Sequence, residues 1–465
     1  MPGKYRGVLS SIKYGESAGD DICTIISSSV SYRKMDGDRA EVGDMVEVSD
    51  ESMRVAGSRQ EAAHAYERML SKIIKGIYSS KNIKMISERY NESVLKAALK
   101  MSEKLNASAH VLLSALVSGA PIVVRFHNDG DGASGATALY RAVTHICAIA
   151  GIEPRISWRM NRSIAYSLED FYFDKMFFQG CRSIEKPVVM IIDFGTNKES
   201  EQGLAEAGKE CSIIMLDHHI PYKEFESVRP KDYINPWDFE GDSNFTAGAL
   251  AAVFAELISG MDLSIFEKSS FISDFSSFAD FVHDIQAEKI AVVLDYLTST
   301  KRSGKSVSPG YIDSIISSAE ELDSTYSHAR NLMSEAIDAG LRAVKTHKIG
   351  ATSVNIVDFR HVLNGYSDYP LPGRFSSAMQ RKFESLNGPN TITIVHYGNF
   401  ASVRLSKEIS QRVNILAKIK RLGEETGGLV SGGGHMEAAS IKASEASMER
   451  TLKRLMELLG EKPQQ

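Results

Sequence analysis

PIVVRFHNDGDG, residues 121–132, sets how the rest of the chain is read. It begins as an apolar run rich in β-branched residues, the pattern of a strand buried on both faces. It then breaks into His127, Asn128, Asp129, Gly130, Asp131 and Gly132. Two carboxylates one residue apart, beside glycines that let the backbone turn tightly, share one loop. Two further runs behave alike: PVVMIID closes on Asp193, and CSIIMLD closes on Asp217 with His218 and His219 behind it. Between the runs, ASGATALYRAVTHICAIAG and KESEQGLAEAGKE have helical spacing, and TAGALAAVFAELIS follows the third. This alternation over residues 121–260 predicts an α/β fold, a parallel sheet with flanking helices. In open parallel sheets, ligand groups gather beyond the carboxyl ends of the strands, so the polar residues should converge.

One aspartate after a strand is unremarkable, since Asp commonly caps the next helix. The joint pattern differs. Adjacent histidines after a buried strand are costly to leave unpaired, and metal coordination removes that cost. Carboxylates and imidazoles without a nearby thiolate suit Mn²⁺ or Mg²⁺, and this many carboxylates suit two ions. A pair of such ions activates a water and neutralises phosphoryl charge, which points to phosphoester hydrolysis.

His127-x-Asp129-x-Asp131-Gly132, Asp193 and Asp217-His218-His219 resemble the first three motifs of the DHH superfamily of phosphoesterases. The fourth motif of that family is an Asp after another strand, and Asp295 in the apolar run IAVVLDYL is its counterpart, with Asp284 as a rival. The resemblance implies His127, Asp129 and Asp193 around one ion. It implies Asp131, Asp193, His218 and Asp295 around the other, Asp193 bridging. Asp217 then orients a histidine through its second ring nitrogen. His219 faces the scissile phosphate, and Asp129, Asp131, Asp193, His218 and His219 form the catalytic group.

Further on, Gly427-Gly428 and Gly432-Gly433-Gly434-His435 allow backbone N–H groups to approach an anion closely. This resembles the DHHA1 domain of nuclease-type members, with Arg404 of Ser402-x-Arg404 on its substrate-gripping strand. Arg404, Gly433, Gly434, His435 and His219 are the implied substrate-binding residues. Between Arg404 and Arg421 six basic residues face one acid, Glu408, a local positive field suited to a nucleic-acid backbone. Trp237 in Asn235-Pro236-Trp237 reads as packing rather than as a base-stacking platform.

The expected order is a β-rich module over 1–57, helices over 58–118 opened by the capping signature Ser58-Arg59-Gln60-Glu61, and the DHH domain over 119–305 with an insertion near 261–286. A linker helix, or two, over 306–346 then leads to a smaller α/β DHHA1 domain over 347–465. Hydrophobic residues at 43% and charged residues at 24% are ordinary for globular proteins. The four cysteines are scattered and fit a reducing compartment. No apolar run is long enough to span a bilayer, so a cytoplasmic location is expected. A net charge of −5 argues against indiscriminate coating of nucleic acid.

The layout resembles archaeal RecJ-like exonucleases, which implies cleavage of single-stranded DNA or RNA and association with GINS at the replication fork. Two other readings stay open. Small DHH enzymes that degrade short oligoribonucleotides or cyclic dinucleotides share the glycine-rich domain, and a catalytically silent relative serves as a replication scaffold.

Overall fold

The computed structural model describes residues 4–15, 21–34, 40–49, 52–77, 92–161, 163–274, 276–300, 307–362, 369–434 and 436–460. The N-terminal segment alternates apolar and polar residues and forms strands β1 (Tyr5–Lys13), β2 (Ile22–Ile26), β3 (Val30–Lys34), β4 (Met45–Val48) and β5 (Met53–Val55). They pair in the order β3-β2-β1-β4-β5. Leu9, Ile12, Cys23, Ile25, Val46 and Val48 turn inward to a small core. Helices α1 (Arg59–Ile77) and α2 (Glu92–Ser118) follow. The expected capping box opens α1: Ser58 Oγ accepts from the Glu61 amide at 3.3 Å, and Glu61 Oε2 accepts from the Ser58 amide at 3.1 Å.

The chain then runs through β6 (Ile122–His127), α3 (Gly130–Ala150), β7 (Ile156–Asn161), α4 (Leu168–Gln179), β8 (Cys181–Ser183), β9 (Val188–Ile192), α5 (Glu201–Glu210), β10 (Ser212–Leu216) and β11 (Asp232–Ile234). Among the described residues, β11-β10-β9-β6-β7 form a parallel sheet in that order. The three apolar runs are its centre. The two edge strands escape a hydrophobicity reading because β7 carries Arg159 and Asn161 and β11 has 3 residues. Phe171 of α4 and Leu204 of α5 cover one face with Val123, Val189 and Ile213. Alternate strand residues point the other way, and there Ile192 meets α3 at Gly135. β8 stays out of this sheet and pairs antiparallel with β1, Ser11 opposite Ser183 and Lys13 opposite Cys181.

Helix α6 (Ala247–Ser259) packs on α3, followed by α7 (Ser264–Ser273) and a turn of 3₁₀ helix at Ser277–Phe281. IAVVLDYL is not a strand but part of α8 (Ile285–Ser299). Its apolar residues satisfy helical spacing together with the preceding turn, burying Ala287, Ile290, Ala291, Leu294 and Leu297. Asp295 therefore stands on a helix. The connecting region is two helices, α9 (Pro309–Ser317) and α10 (Ala319–Ala343).

Met1–Thr298 with Gly304–Asp323 form one compact unit, and Ser299–Ser303 with Ser324–Gln465 form a second. The second unit holds β12 (Lys345–Ile349), β13 (Thr352–Asp358), α11 (Pro372–Asn387), β14 (Thr391–Tyr397), β15 (Phe400–Leu405), α12 (Lys407–Ser410), α13 (Ile415–Glu425), β16 (Ser431–Gly434), β17 (Ala438–Lys442) and α14 (Glu445–Gly460). Its sheet runs β12-β13-β14-β15-β17-β16, with β13 and β14 parallel. Phe375, Met379 and Phe383 of α11 pack with Val357 and Val395. Ile415 and Ile419 of α13 and Leu452 and Leu455 of α14 pack with Ile392, Ile394 and Ile441.

Gly432, Gly433 and Gly434 lie on β16, paired with β17 from Gly432 opposite Ile441 to Gly434 opposite Ala439. The sequence pattern conceals this, because glycine carries no strand periodicity. Close approach explains the residue type: a Cβ on Gly432 would stand 2.1 Å from Ser440 O. His435 lies outside the described residues. Among the described residues no helix is long and apolar enough to cross a membrane.

Candidate metal centre

Strand β6 ends on His127, whose Nδ1–H donates to Asp129 Oδ2 at 2.9 Å and stands 3.6 Å from Asp193 Oδ2. Asp129 caps α3: its Oδ1 accepts from the Gly132 amide at 3.0 Å, leaving Oδ2 for His127. Asp131, one residue on, is buried. Its oxygens accept from the first amides of α6, Ala247 N at 3.1 Å and Gly248 N at 3.0 Å, and from Ser270 Oγ. A helix N-terminus is a favourable place for a carboxylate.

Asp193 follows β9 with φ 68°, a left-handed backbone that non-glycine residues rarely adopt. Its Oδ1 is buried and accepts no hydrogen bond from the described residues. It faces His218 Nε2 at 3.4 Å and His219 Nδ1 at 3.8 Å. His218 is fixed from behind, because its Nδ1–H donates to Ser243 O at 2.8 Å. This leaves Nε2 for Asp193 and for Asp131, whose Oδ2 is 3.8 Å away. Asp217 is fully buried. Its Oδ1 accepts from the amides of His218 and His219 and from His219 Nδ1–H at 2.8 Å. The histidine oriented by Asp217 is thus His219, whose side chain stays 48% exposed.

These contacts perturb the titrations in consistent directions. Burial would depress His127, but the neighbouring Asp129 and then Asp193 hold it well above the ordinary imidazole value. For His218, burial is likewise outweighed by Asp193, Asp274 and Asp131. His219 is raised too, with burial opposed by Asp217. Asp217 is lowered although burial acts the other way, because His219 and His218 favour its charged form. Asp131 is held well above the usual carboxylate range by burial and by the like charge of Asp193. Crowded carboxylates of this kind repel one another until a cation enters.

Among the described residues, two groups of side chains bring ligand atoms within 4.8 Å of one another: His127, Asp129 and Asp193, and Asp193, His218 and His219. Asp193 is common to both. Its unpartnered oxygen and the hard oxygen and imidazole donors around it fit divalent cations. Asp131 stands at the margin of the second group, its oxygens engaged by α6.

Neither proposed fourth aspartate lies in these groups. Asp295 Oδ1 is 3.5 Å from Ser273 Oγ on α7. Asp284 pairs with Lys268 at 2.9 Å and caps the start of α8 by accepting from the Gln286 amide. Asp295 Oδ1 nonetheless lies against Gly130, where a Cβ would stand 2.3 Å from it, and a further acid, Asp274 at the end of α7, has Oδ2 3.9 Å from His218 Nδ1. Desolvation, Asp193 and Asp129 raise it, and His218 opposes them. It sits in the Phe-, Ser- and Asp-rich insertion, where no periodicity marks it. Ser243 O and the α6 amides were also missed, since backbone carbonyls and amides carry no side-chain signature, and Ser270 Oγ was missed among the many serines of its segment.

In the second unit, Arg404 on β15 reaches Gly373 O at 3.5 Å, and Gly433 and Gly434 are exposed on β16. The basic stretch is less positive than it reads. Arg421 pairs with Glu425 at 2.8 Å and Lys420 lies 4.0 Å from Glu424, acids one helical turn beyond the counted window.

Residues 121–282 match the family model of the DHH family, N-terminal domain. Over 420 residues the chain is 24% identical to an uncharacterized protein of Methanocaldococcus jannaschii, covering 77% of this chain and 54% of that one. The chain thus spans about half the length of the curated relative it matches. Its fold is similar to a solved DHH domain described as a member of the s1p family of ribosomal proteins, with TM-score 0.72, 21% identity and coverage of 87% of this chain and 100% of that one. It is also similar to RecJ from Thermus thermophilus in complex with Mn²⁺, with TM-score 0.51, 16% identity and coverage of 79% and 59%. A structure of exonuclease RecJ bound to manganese gives TM-score 0.50, 14% identity and coverage of 77% and 95%. At these identities the likeness is one of fold.

Proposed function

We propose that this chain is a phosphodiesterase dependent on two divalent cations, Mn²⁺ or Mg²⁺, that hydrolyses single-stranded DNA or RNA from an end. The observation that carries the reading is Asp193, a buried carboxylate oxygen without a hydrogen bond, held in a left-handed backbone among imidazoles from two other strands. His127, Asp129 and Asp193 would hold one ion, and Asp193 and His218 the other, with Asp131 and Asp274 completing it. Bound there, the ions supply Lewis-acid activation of water and neutralise charge on the phosphoryl group.

The chain's own groups do the rest. Ser243 O fixes the His218 tautomer that presents Nε2. Asp217 holds His219 through Nδ1, leaving Nε2 as its remaining polar atom. Raised in pKa by Asp217, His219 keeps a proton there to donate to a phosphoryl oxygen. Arg404 and the open β16 strand of Gly433 and Gly434 are the proposed backbone grip of the second unit, with His435 beside them in sequence. The resemblance to archaeal RecJ-like exonucleases extends the reading to replication or repair, with GINS as the partner to seek by co-purification.

End-labelled single strands of graded length, incubated in Mn²⁺ or Mg²⁺, test the activity. Mononucleotides should be released from long strands, and an Asp129→Ala, Asp131→Ala double variant should lose at least about a thousandfold in rate, as expected when a cation site is dismantled. Cleavage of dinucleotides alone would favour the short-substrate enzymes. No hydrolysis at any length would favour a scaffold.

A further inference from the structure

Asn235, Pro236 and Trp237 leave β11 beside the loop that carries His218 and His219, and the side chains of Asn235 and Trp237 grip that loop. Asn235 is fully buried. Its Nδ2–H donates to His219 O at 2.9 Å while its Oδ1 accepts from the Trp237 amide at 3.1 Å. The indole Nε1–H of Trp237 donates to His218 O at 3.1 Å and also lies 3.1 Å from Ser243 Oγ. The ring is therefore positioned from its backbone and from its polar edge at once.

A tryptophan fixed in this way is normally covered, yet Trp237 is 41% exposed. Its hydrogen-bonding capacity is spent on the loop, so what remains open is apolar ring surface. The chain has 2 tryptophans. The other, Trp158, packs edge-on against Tyr140 at 5.7 Å. Trp237 alone offers an indole face one hydrogen bond from the backbone of His218 in the candidate metal centre.

We propose that Trp237 is a stacking platform for the nucleobase of a nucleotide next to the scissile phosphate. The inference rests on the phosphodiesterase reading and revises the expectation that this residue only packs. A phosphate held at His218 and His219 has a base one sugar away, so an aromatic face beside those residues meets the part of the substrate that the ions do not touch. Stacking accepts every base, because each has a π face. A ring already fixed loses little freedom when a base settles on it. Trp237 thus separates nucleic acids from phosphodiesters that carry no base.

The test compares wild type, Trp237→Phe and Trp237→Ala on two single strands, one ordinary and one with abasic residues replacing the two terminal nucleotides at each end. Mn²⁺ uptake is measured for each protein alongside. Ser243 Oγ still donates to His218 O at 2.8 Å without the indole, so the histidine should stay in place. Trp237→Ala should raise KM for the ordinary strand by about 5- to 150-fold, the range of one stacked base. Its KM for the abasic strand and its Mn²⁺ uptake should be unchanged, and Trp237→Phe should stay near wild type. Equal losses on both strands, or a Phe variant as impaired as the Ala variant, would reduce Trp237 to a clamp on the loop and overturn the platform. A wild type that cleaves neither strand would overturn the phosphodiesterase reading itself, and the platform with it.

Discussion

Asp193 shows how one residue links backbone strain to chemistry. Its left-handed conformation costs an ordinary side chain about 1–2 kcal/mol, a cost that Asn and Asp bear more easily than Ala. Asp193→Asn should therefore fold, with a metal-free Tm within a few degrees of wild type, whereas Asp193→Ala should melt at least about 2 °C lower. Equal melting of the two would contradict the strain argument, and calorimetric scanning without metal decides it. The histidines give a second expectation. His127 and His218 are raised by their carboxylate neighbours and hold protons to higher pH than free imidazole. A cation must displace those protons, so Mn²⁺ affinity should fall as pH falls, about tenfold per unit for each proton displaced. The decline should begin above the ordinary imidazole pKa of about 6.5. An affinity flat between about pH 6 and pH 8.5 would contradict this picture.

Among the helices and strands, α6 does more than close the domain. Its first amides bind Asp131, and Gly248 lets them come close: a Cβ there would stand 2.3 Å from Asp131 O and 2.6 Å from Oδ1. Gly248→Ala should push α6 from Asp131, cost about 1–3 kcal/mol of stability and weaken Mn²⁺ binding together. Melting and metal titration of the same variant check both. Thr246-Ala247-Gly248 was legible as the start of a packed helix, but not as a carboxylate's partner, because the donors are backbone amides. The three strand ends were legible because β-branched runs stop on polar residues. Asp295 was expected after a strand and stands on a helix, because IAVVLDYL satisfies a buried strand and a buried helix equally well. Asp274 was passed over because its Phe-, Ser- and Asp-rich segment shows no periodicity to set one acid apart.

Across the full chain, β1 pairs with β8, so the N-terminal strands share a sheet with the segment between α4 and β9. The first strands of the chain and its central domain are thus hydrogen-bonded parts of one unit. Sequence periodicity reads one stretch of chain at a time, whereas this pairing joins residues about 170 positions apart and leaves no local trace. The same long range assembles the cation site, which draws on β6, β9, β10 and the end of α7. Titration calorimetry of the metal-stripped chain with Mn²⁺ is the sharpest test of that assembly. Two ions should bind per wild-type chain, and Asp193→Asn should abolish or greatly weaken both, because that carboxylate belongs to each group. No Mn²⁺ uptake by wild type, or uptake undiminished in Asp193→Asn, would contradict the account.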